Sequence, residues 1–293
     1  MQSRREFLSA VPLAAVSAAA LLHAAPPSGG VKIGCQTNAW RIDPNNFDNL
    51  LEVLSKLKQL GYEGFETGFR NVQGQFGNLA AARAKIEKTE LKFLGCHIFL
   101  DEYDPQTRIA PITLIQKIVD GAAALGAERL ILSGAGLVKD GRLEPEILNR
   151  KAQGLNAAGK YCQSKGIKLA YHNHGPEFAQ NGLEIEGLYA QTEPALVDFL
   201  TDCGWAFSAK ADVPKFFDKH HKRIIGLHLR DFKNGEQVPL GQGDFPIREL
   251  AAVIARVKWA GWTINEEERL SGEKPGEKAA APARATLRQV FGK

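Results

Sequence analysis

The stretch Lys168-Leu-Ala-Tyr-His-Asn-His174 is a short apolar run that ends in two histidines. Three later apolar runs also end in a side chain that can bind a metal, namely Asp202, His228 and Glu266. The four ends lie 26 to 38 residues apart, the length of one strand and one helix. Because the parallel strands of a closed barrel present their carboxyl ends at one opening, the spacing predicts that these side chains meet there.

Strand-like and helix-like patterns alternate along the rest of the chain. Apolar residues recur at helical spacing in longer amphipathic runs such as Phe47-Leu60 and Ile112-Leu125. Between such runs lie eight predicted strands: Val31-Gln36, Gly64-Glu66, Lys92-Ile98, Arg129-Ser133, Lys168-Asn173, Val197-Asp202, Ile224-Leu229 and Trp262-Glu266. Glycines that follow four predicted helices are expected to end them in the left-handed conformation: Gly61, Gly126, Gly166 and Gly261.

This order of elements indicates the fold class. Strict alternation of strand and helix favours a parallel sheet, and eight such units favour closure of that sheet. We therefore predict an α/β protein, a (β/α)8 TIM barrel in a single domain. A doubly wound open sheet is the alternative, but no Gly-x-Gly-x-x-Gly turn follows the first predicted strand.

The first 25 residues have the pattern of an export signal. Arg4-Arg5 precede an alanine-rich apolar run, Val11-Leu22, and the small residues Ala24-Ala25 follow it. This layout is typical of a twin-arginine signal, and the run is too short to span a membrane comfortably. A frayed N-terminal helix is the alternative. We expect residues 1–25 to be a signal peptide read by the twin-arginine export machinery, residues 26–293 to be the barrel domain, and the mature protein to be periplasmic or secreted without a membrane segment.

Composition favours a small solute as the partner. The formal net charge is +4 with both signs interspersed, so the basic stripe of a nucleic-acid binder is missing from the sequence. The four cysteines show no C-x-x-C spacing and are expected to be buried thiols, although one disulfide is the alternative in an oxidising compartment: Cys35, Cys96, Cys162 and Cys203.

Four side chains are candidates for a metal site. His172 and His174 share one face of their strand, since residues two apart point the same way. Asp202 would be costly to bury at the end of an apolar strand without a cation, although a helix N-cap is the alternative role. Two imidazoles and two carboxylates suit manganese, zinc, cobalt or iron. We predict one divalent metal ion held by a four-residue set: His172, Asp202, His228 and Glu266.

Further residues around this set are candidates for catalysis. A bound metal could polarise the oxygen of a hydroxy-ketone and stabilise an enediolate after proton removal. The candidate bases are His174 and Glu177. Arg230, which shares a strand face with His228, suits a developing negative oxygen, and Lys210 is a further electrophile for the substrate. Trp205 offers an aromatic face on which a sugar ring could stack.

Five segments carry a resemblance to a known family: Tyr171-His-Asn-His-Gly-Pro-Glu-Phe178, Asp202-Cys-Gly-Trp205, Leu227-His-Leu-Arg-Asp231, Gly241-Gln-Gly-Asp244, and Gly261-Trp262 with Glu266. They are similar to the motifs of the xylose isomerase-like TIM barrel superfamily, in its sugar phosphate isomerase/epimerase-like branch. The resemblance implies one divalent metal at the carboxyl-terminal mouth of the barrel and a carbohydrate or polyol substrate. It extends to Glu66 on the second strand and His97 on the third, which are expected to bind substrate.

The chain departs from this family at two positions. A glutamate usually stands where His172 falls, so the ligand set is altered. A histidine often stands where Trp205 falls, and its loss argues against the endonuclease IV-like branch. The sequence thus predicts an exported, metal-dependent isomerase, epimerase or lyase that moves a proton on a sugar, keto-sugar or polyol. A metal-free sugar-binding barrel and an endonuclease IV-like hydrolase are the alternatives, and a homo-oligomer is left open.

Overall fold

A closed barrel of parallel strands forms the centre of the protein in the computed structural model, which describes residues 30–267 and 272–293. Its strands are β1 (Lys32–Gln36), β2 (Gly64–Gly68), β3 (Lys92–Ile98), β4 (Arg129–Leu132), β5 (Lys168–His172), β6 (Val197–Asp202), β7 (Ile224–Leu229) and β10 (Trp262–Asn265). They close in the order β1-β10-β7-β6-β5-β4-β3-β2. The predicted (β/α)8 TIM barrel is therefore confirmed, and the open sheet is excluded. The export signal predicted for residues 1–25 lies outside the described residues.

Helices cover the outside of the barrel and connect its strands. They are α1 (Phe47–Gln59), α2 (Arg70–Gln73), α3 (Leu79–Glu87), α4 (Ile112–Ala124), α5 (Pro145–Ser164), α6 (Ala179–Gln191), α7 (Cys203–Ser208), α8 (Val213–His220), α9 (Ile247–Arg256) and α10 (Glu277–Phe291). Short 3-10 helices lie at Thr37–Ala39, Pro176–Phe178 and His221–Arg223. Within the described ranges, none of the helices is long and apolar enough to cross a bilayer.

Strand register brings the metal-capable side chains to one level of the barrel. Asp202 on β6 pairs with His228 on β7, and His228 pairs with Ile264 on β10. His172 ends β5, and Glu266 follows directly after β10. The carboxyl ends of these neighbouring strands therefore form one wall of the barrel mouth, as the spacing in the sequence predicted.

An apolar layer closes the barrel below that mouth. Six buried side chains from β3, β4, β5, β6 and β10 form it: Leu94, Ile131, Ala170, Leu200, Trp262 and Ile264. A separate and larger apolar core lies between the barrel and its helices, as expected for this fold. All four cysteines are buried and free, which confirms the expected thiols and excludes a disulfide.

The prediction for helix-ending glycines is right at three positions and wrong at one. Gly61, Gly126 and Gly166 have φ values of +85°, +94° and +76°. Gly261 does not have a positive φ; after α9 it is Lys258 that is left-handed, with φ of +53°. Gly261 is instead needed for packing, because a Cβ atom there would lie 2.2 Å from the ring of Trp259.

A separate two-stranded hairpin, which the sequence analysis did not predict, follows β7. It consists of β8 (Asp231–Lys233) and β9 (Glu236–Val238). The Asp231 carboxylate accepts hydrogen bonds from the backbone N–H groups of its own hairpin and of the following loop, at 2.9–3.0 Å: Phe232, Gly241, Gly243 and Phe245. Four donors on one buried carboxylate hold this loop in one conformation. The Asp231 and Gly241-Gln-Gly segments are therefore structural partners.

Replacement of Leu94 by alanine tests the packing below the mouth. Leu94 is fully buried, so Leu94→Ala should lower the free energy of unfolding by about 2–5 kcal/mol. Leu183→Ala is the control, because Leu183 is 45% exposed and its truncation should change that free energy by less than about 0.5 kcal/mol. Urea unfolding followed by circular dichroism measures both. Equal effects of the two changes would contradict the packing.

Candidate metal centre and active site

Four predicted ligands meet at the mouth of the barrel. Each offers one nitrogen or oxygen atom, and these atoms all lie within 4.8 Å of one another: His172, Asp202, His228 and Glu266. All four side chains are at least 98% buried. The convergence of two imidazoles and two carboxylates makes this cluster the candidate metal centre.

Buried polar atoms in the cluster lack hydrogen bonds, which indicates that they fit a cation. Neither ring nitrogen of His172 has a hydrogen-bond partner among the described residues. The same holds for Oδ2 of Asp202, Nδ1 of His228 and Oε2 of Glu266, which make ionic contacts without hydrogen-bond geometry. Orphaned polar atoms are rare in protein interiors because each costs desolvation free energy. One metal ion would bind one ring nitrogen of His172 and one atom from each of the other three residues.

The imidazole of His172 is suited to bind a metal. Burial lowers the pKa of His172 well below its usual range, and the nearby imidazoles of His228 and His97 lower it further. The ring is therefore neutral at physiological pH and keeps a nitrogen lone pair for a cation. Nε2 of His172 lies 3.8 Å from Oδ2 of Asp202, so the two potential ligand atoms are neighbours without a proton shared between them.

His228 lies between two carboxylates. Its Nε2 is 2.6 Å from Oε2 of Glu66, and its Nδ1 contacts Oε2 of Glu266. Burial alone would lower the pKa of His228, but the charges of Glu266 and Glu66 raise it to about 10. Glu66 accepts the Nε2 proton across the barrel and so fixes the ring orientation, which leaves Nδ1 to face the other three ligands. Glu66, predicted to bind substrate, thus lies beneath the site as a partner of His228.

Asp202 serves two purposes, one with each carboxylate oxygen. Its Oδ1 accepts the backbone N–H of Trp205 at 2.8 Å and caps α7. Its Oδ2 faces His172 and Arg230. Burial raises the pKa of Asp202 to about 6, although the charge of Arg230 opposes this shift. The two roles that were alternatives in the sequence, ligand and N-cap, are therefore compatible.

Arg230 joins the carboxylates of the cluster. Its Nη2 lies 2.8 Å from Oδ2 of Asp202 and 2.5 Å from Oε2 of Glu266, and its guanidinium packs 5.3 Å from the ring centre of Trp205. Burial opposes ionisation of Glu266, but Arg230 and His228 hold its pKa well below the usual range. Arg230 is 1% exposed and does not line the cleft. Its contacts include the two carboxylates and the ring of Trp205.

A cleft of about 490 Å³ opens beside the cluster, and Glu266 is the cluster residue that lines it. Its lining combines polar and aromatic side chains: Gln36, Asn38, Phe69, Arg70, His97, Phe99, His174, Trp205 and Glu266, with Gly68. His174 lies between two aromatic rings, with ring centres 5.4 Å from Phe99 and 6.4 Å from Trp205. Burial and Arg230 lower the pKa of His174 to about 4, so its ring is neutral at pH 7.

His97 lines the same cleft on the side of β3. Its Nε2 is 2.8 Å from the hydroxyl of Ser133, and its ring centre is 4.8 Å from that of His172. Burial lowers the pKa of His97 to about 3, so this imidazole is also neutral. His97 and Trp205, both predicted to contact substrate, are therefore placed where a bound molecule would meet them.

Two other predicted site residues lie away from the cleft. Glu177 is 1% exposed and binds Tyr171 and the main chain of His174, and burial raises its pKa to about 7. Lys210 is exposed and lines a separate cavity beside α8. Its backbone is left-handed, with φ of +69°, at the turn that follows α7. The structure brings neither side chain to the metal-ligand cluster.

Sequence reasoning missed several residues that line the cleft. Asn38 donates from Nδ2 to Oε1 of Glu266 at 2.8 Å, and Gln36 lies beside it. Phe99 is 49% exposed and lies 5.4 Å from His174 between ring centres. Gln36 ends β1, and Asn38 and Phe99 follow β1 and β3, so the rule that found His172 and Glu266, polar or aromatic side chains at strand ends, would have found them too.

Fold and site together define a TIM barrel with a candidate metal centre at the carboxyl ends of its strands. The chain belongs to the xylose isomerase-like TIM barrel family, which matches residues 54–290. The resemblance inferred from the sequence motifs is thereby confirmed.

The chain is similar to known proteins, two of which are named for the sugar or polyol on which they act. An inosose dehydratase from Bacillus cereus is 30% identical over 280 residues, covering 82% of this chain and 90% of that protein. A 3-keto-D-glucoside 4-epimerase from E. coli superposes with a TM-score of 0.69 at 16% identity, covering 90% of this chain and all of the other. The IolI protein with a bound zinc atom has a TM-score of 0.72 at 16% identity, covering 89% and 98%.

Substitution of Asp202 by asparagine tests the metal centre. Asparagine still caps a helix but removes the anionic ligand, so Asp202→Asn should weaken metal binding by more than about 100-fold, beyond the roughly 10- to 100-fold typical of an outer partner. Elemental analysis after dialysis against zinc or manganese measures the bound metal. Asp198→Asn, on the same strand and in an ion pair with Lys168, is the matched control. Full metal retention in Asp202→Asn would refute the assignment.

Proposed function

We propose that this protein is a metal-dependent enzyme that moves a proton next to the carbonyl group of a cyclic keto-sugar or keto-polyol. The outcome would be epimerisation, isomerisation or loss of water. The observation that carries the proposal is the convergence of ligand atoms from His172, Asp202, His228 and Glu266, with both ring nitrogens of His172 lacking a hydrogen-bond partner among the described residues. The zinc atom bound in the structure of the IolI protein, which has a similar fold, supports a metal-binding role.

A divalent ion held by these four residues would supply Lewis-acid polarisation of a substrate carbonyl oxygen. His174 is the best-placed base, because it lines the cleft and its low pKa leaves the imidazole neutral and able to accept a proton. A pKa of about 4 makes it a weak base, so the carbonyl must be strongly polarised for the proton to leave carbon. Arg230 holds the carboxylates of Asp202 and Glu266 in place and contributes positive charge close to the developing oxyanion.

His97 suits the second half of a proton-transfer reaction. Its Nε2 shares a hydrogen bond with the Ser133 hydroxyl, and the ring lines the same cleft as His174. A second neutral imidazole in the cleft could receive or return a proton of a bound ring. Two such groups on opposite sides are what an epimerisation requires, whereas an elimination needs one base and one acid for the leaving hydroxyl.

The cleft favours a ring with both polar edges and an apolar face. Gln36 and Asn38 provide amide groups at its floor, and Phe99 and Trp205 provide aromatic faces on either side of His174. Sugars stack on such faces through their C–H groups. A volume of about 490 Å³ lies in the roughly 300–1,000 Å³ range of small-molecule sites. The names of the inosose dehydratase and the 3-keto-D-glucoside 4-epimerase support a ring that carries a ketone.

Exchange of the proton next to the ketone tests the proposal. The protein, loaded separately with manganese, zinc, cobalt or iron, is incubated in D₂O with an inosose or a 3-keto-glucoside, and ¹H NMR follows loss of the C–H signal. We expect exchange with at least one metal, and a loss of more than about 100-fold in His174→Ala, which should keep its metal. His221→Ala, outside the cleft, is the control. Absence of exchange under every metal and substrate would reject the proposed reaction.

Removal of the Trp205 ring tests substrate stacking. An aromatic contact contributes about 0.5–1.5 kcal/mol, so Trp205→Ala should raise KM by about 2- to 10-fold. Trp205→Phe keeps an aromatic face and should raise KM less. Steady-state kinetics on the substrate identified by proton exchange gives the values, with circular dichroism to check that α7 still forms. An unchanged KM in Trp205→Ala would show that the ring does not touch the substrate.

A metal-free sugar-binding barrel is the second candidate function. The observation that favours it is Arg230, whose guanidinium already contacts Asp202 and Glu266 and balances part of their charge. In addition, the neutral His172 stands where the family usually has an acidic ligand. Such a protein would bind sugar without retaining a metal and without exchanging any proton. Elemental analysis of bound metal and the D₂O exchange experiment therefore separate it from the enzyme.

We also propose that the protein is exported through the twin-arginine machinery to the periplasm or beyond. This rests on the pattern of residues 1–25 alone. Export in the folded state would allow the metal to be inserted before the protein leaves the cytoplasm, where metal availability selects the ion.

A further inference from the structure

A buried chain of charged and polar side chains lies outside the barrel wall, behind β5. Lys151 on α5 and Glu184 on α6 form an ion pair in which both side chains are fully buried, with 2.6 Å between Nζ and Oε1. Nζ of Lys151 lies 4.9 Å from the ring centre of Tyr171 on β5. The Tyr171 hydroxyl donates to Oε1 of Glu177 at 2.8 Å. We call these four residues the buried strut: Lys151, Glu184, Tyr171 and Glu177.

The strut is tied to the main chain of two loops at the barrel mouth. Lys151 donates from Nζ to the carbonyl of Ala135 at 2.9 Å, and Glu184 accepts the N–H of Leu137 at 2.6 Å. Ala135 and Leu137 both belong to the loop after β4. At the other end, Oε2 of Glu177 accepts the backbone N–H of His174 at 3.1 Å. One buried network therefore connects the loop after β4 to the residue that faces the cleft.

Burial of charged groups in such a network is energetically unfavourable. A Lys–Glu pair loses its hydration on burial, and its mutual attraction has to offset this loss. An apolar pair of the same size often stabilises a fold as well or better. The burial of these charges is therefore poor evidence that the strut stabilises the fold. Its main-chain contacts indicate a geometric purpose, because each end fixes a loop that borders the cleft.

We propose that Glu177 is a positioning residue, and that the buried strut holds the loop after β5 so that the His174 imidazole points into the cleft. Tyr171 and His172 are neighbours on β5 and so point to opposite faces of the strand. Glu177 bonds to the Tyr171 side, is 1% exposed and is not among the residues that line the cleft. This inference depends on the proposed function only for the experiments that measure turnover. It replaces the idea that Glu177 is itself a base.

Precise placement of His174 matters because proton transfer requires close approach. A displacement of about 1 Å in a catalytic group can cost roughly 100-fold in rate. The loop after β5 is short between His174 and Glu177, so loss of the Glu177 contacts would free the His174 main chain directly. The metal ligand His172 lies within the strand itself and should be unaffected.

Two substitutions at Glu177 separate positioning from catalysis by a base. Glutamine can still accept the His174 N–H, and its amide can donate to the Tyr171 oxygen, so Glu177→Gln should keep kcat within about threefold, since both bonds are remade. Glu177→Leu removes both acceptors and should lower kcat by about 10- to 100-fold, with KM and bound metal unchanged. A base at this position would instead lose activity in both variants.

Hydrogen exchange gives a readout that does not depend on turnover. Mass spectrometry of peptides covering residues 172–178 should show faster amide exchange in Glu177→Leu than in the parent protein, and near-parent exchange in Glu177→Gln. Tyr171→Phe, which removes one contact and keeps the ring, should be intermediate and guards against misfolding of the leucine variant. Glu186→Leu, on α6 in a partly exposed ion pair with Lys219, is the matched control and should match the parent.

The outcomes distinguish the strut from the reaction. Equal loss of kcat in Glu177→Gln and Glu177→Leu would overturn the positioning role in favour of a base. Parent-like exchange and parent-like kcat in Glu177→Leu would overturn the strut while leaving the proposed reaction intact. Should no substrate be turned over by any form of the protein, the exchange data alone would decide, with unchanged exchange in Glu177→Leu counting against the strut.

Discussion

Charge balance in a water-poor barrel mouth is the constraint on which the rest of the site depends. Glu66, Asp202 and Glu266 are buried there together with the permanent cation Arg230. Without a further positive charge, His228 must stay protonated and Asp202 resists ionisation, as their raised pKa values of about 10 and about 6 indicate. A divalent ion beside a neutral His228 would bring three carboxylates and three positive charges to a formal balance.

The same balance of charges explains how a histidine fits at a position where the family usually has a glutamate. His172 is neutral, since burial and its imidazole neighbours lower its pKa. A glutamate at this position would add a fourth negative charge near Asp202, which Arg230 and one divalent ion would not offset. In this chain, Glu66 supplies the third carboxylate from the opposite wall, through Nε2 of His228. The altered ligand set is therefore electrostatically consistent with a bound ion, and it favours nitrogen-binding metals more than a glutamate would.

Much of the fold and of the ligand cluster could be predicted from sequence because both depend on local patterns. An apolar run ending in His172 or Asp202 identifies a strand and its carboxyl end, and barrel topology then makes such ends neighbours. Contacts across the lumen have no such local signal: Glu66 meets His228 from 162 residues away. Lys210 failed as a site residue because a left-handed turn after α7 directs it to another cavity.

Glu177 illustrates why residue type and proximity in sequence are not enough to assign a chemical role. It lies five residues after a candidate metal ligand and has a pKa of about 7 through burial, both of which suit a general base. What decides its role is the side of β5 with which it bonds. The strand presents His172 to the lumen and Tyr171 to the helices, so its two faces serve the candidate metal centre and the outer packing separately. Through Glu177, the outer packing still reaches His174, and helices α5 and α6 thereby influence the geometry of the cleft without contributing a residue to it.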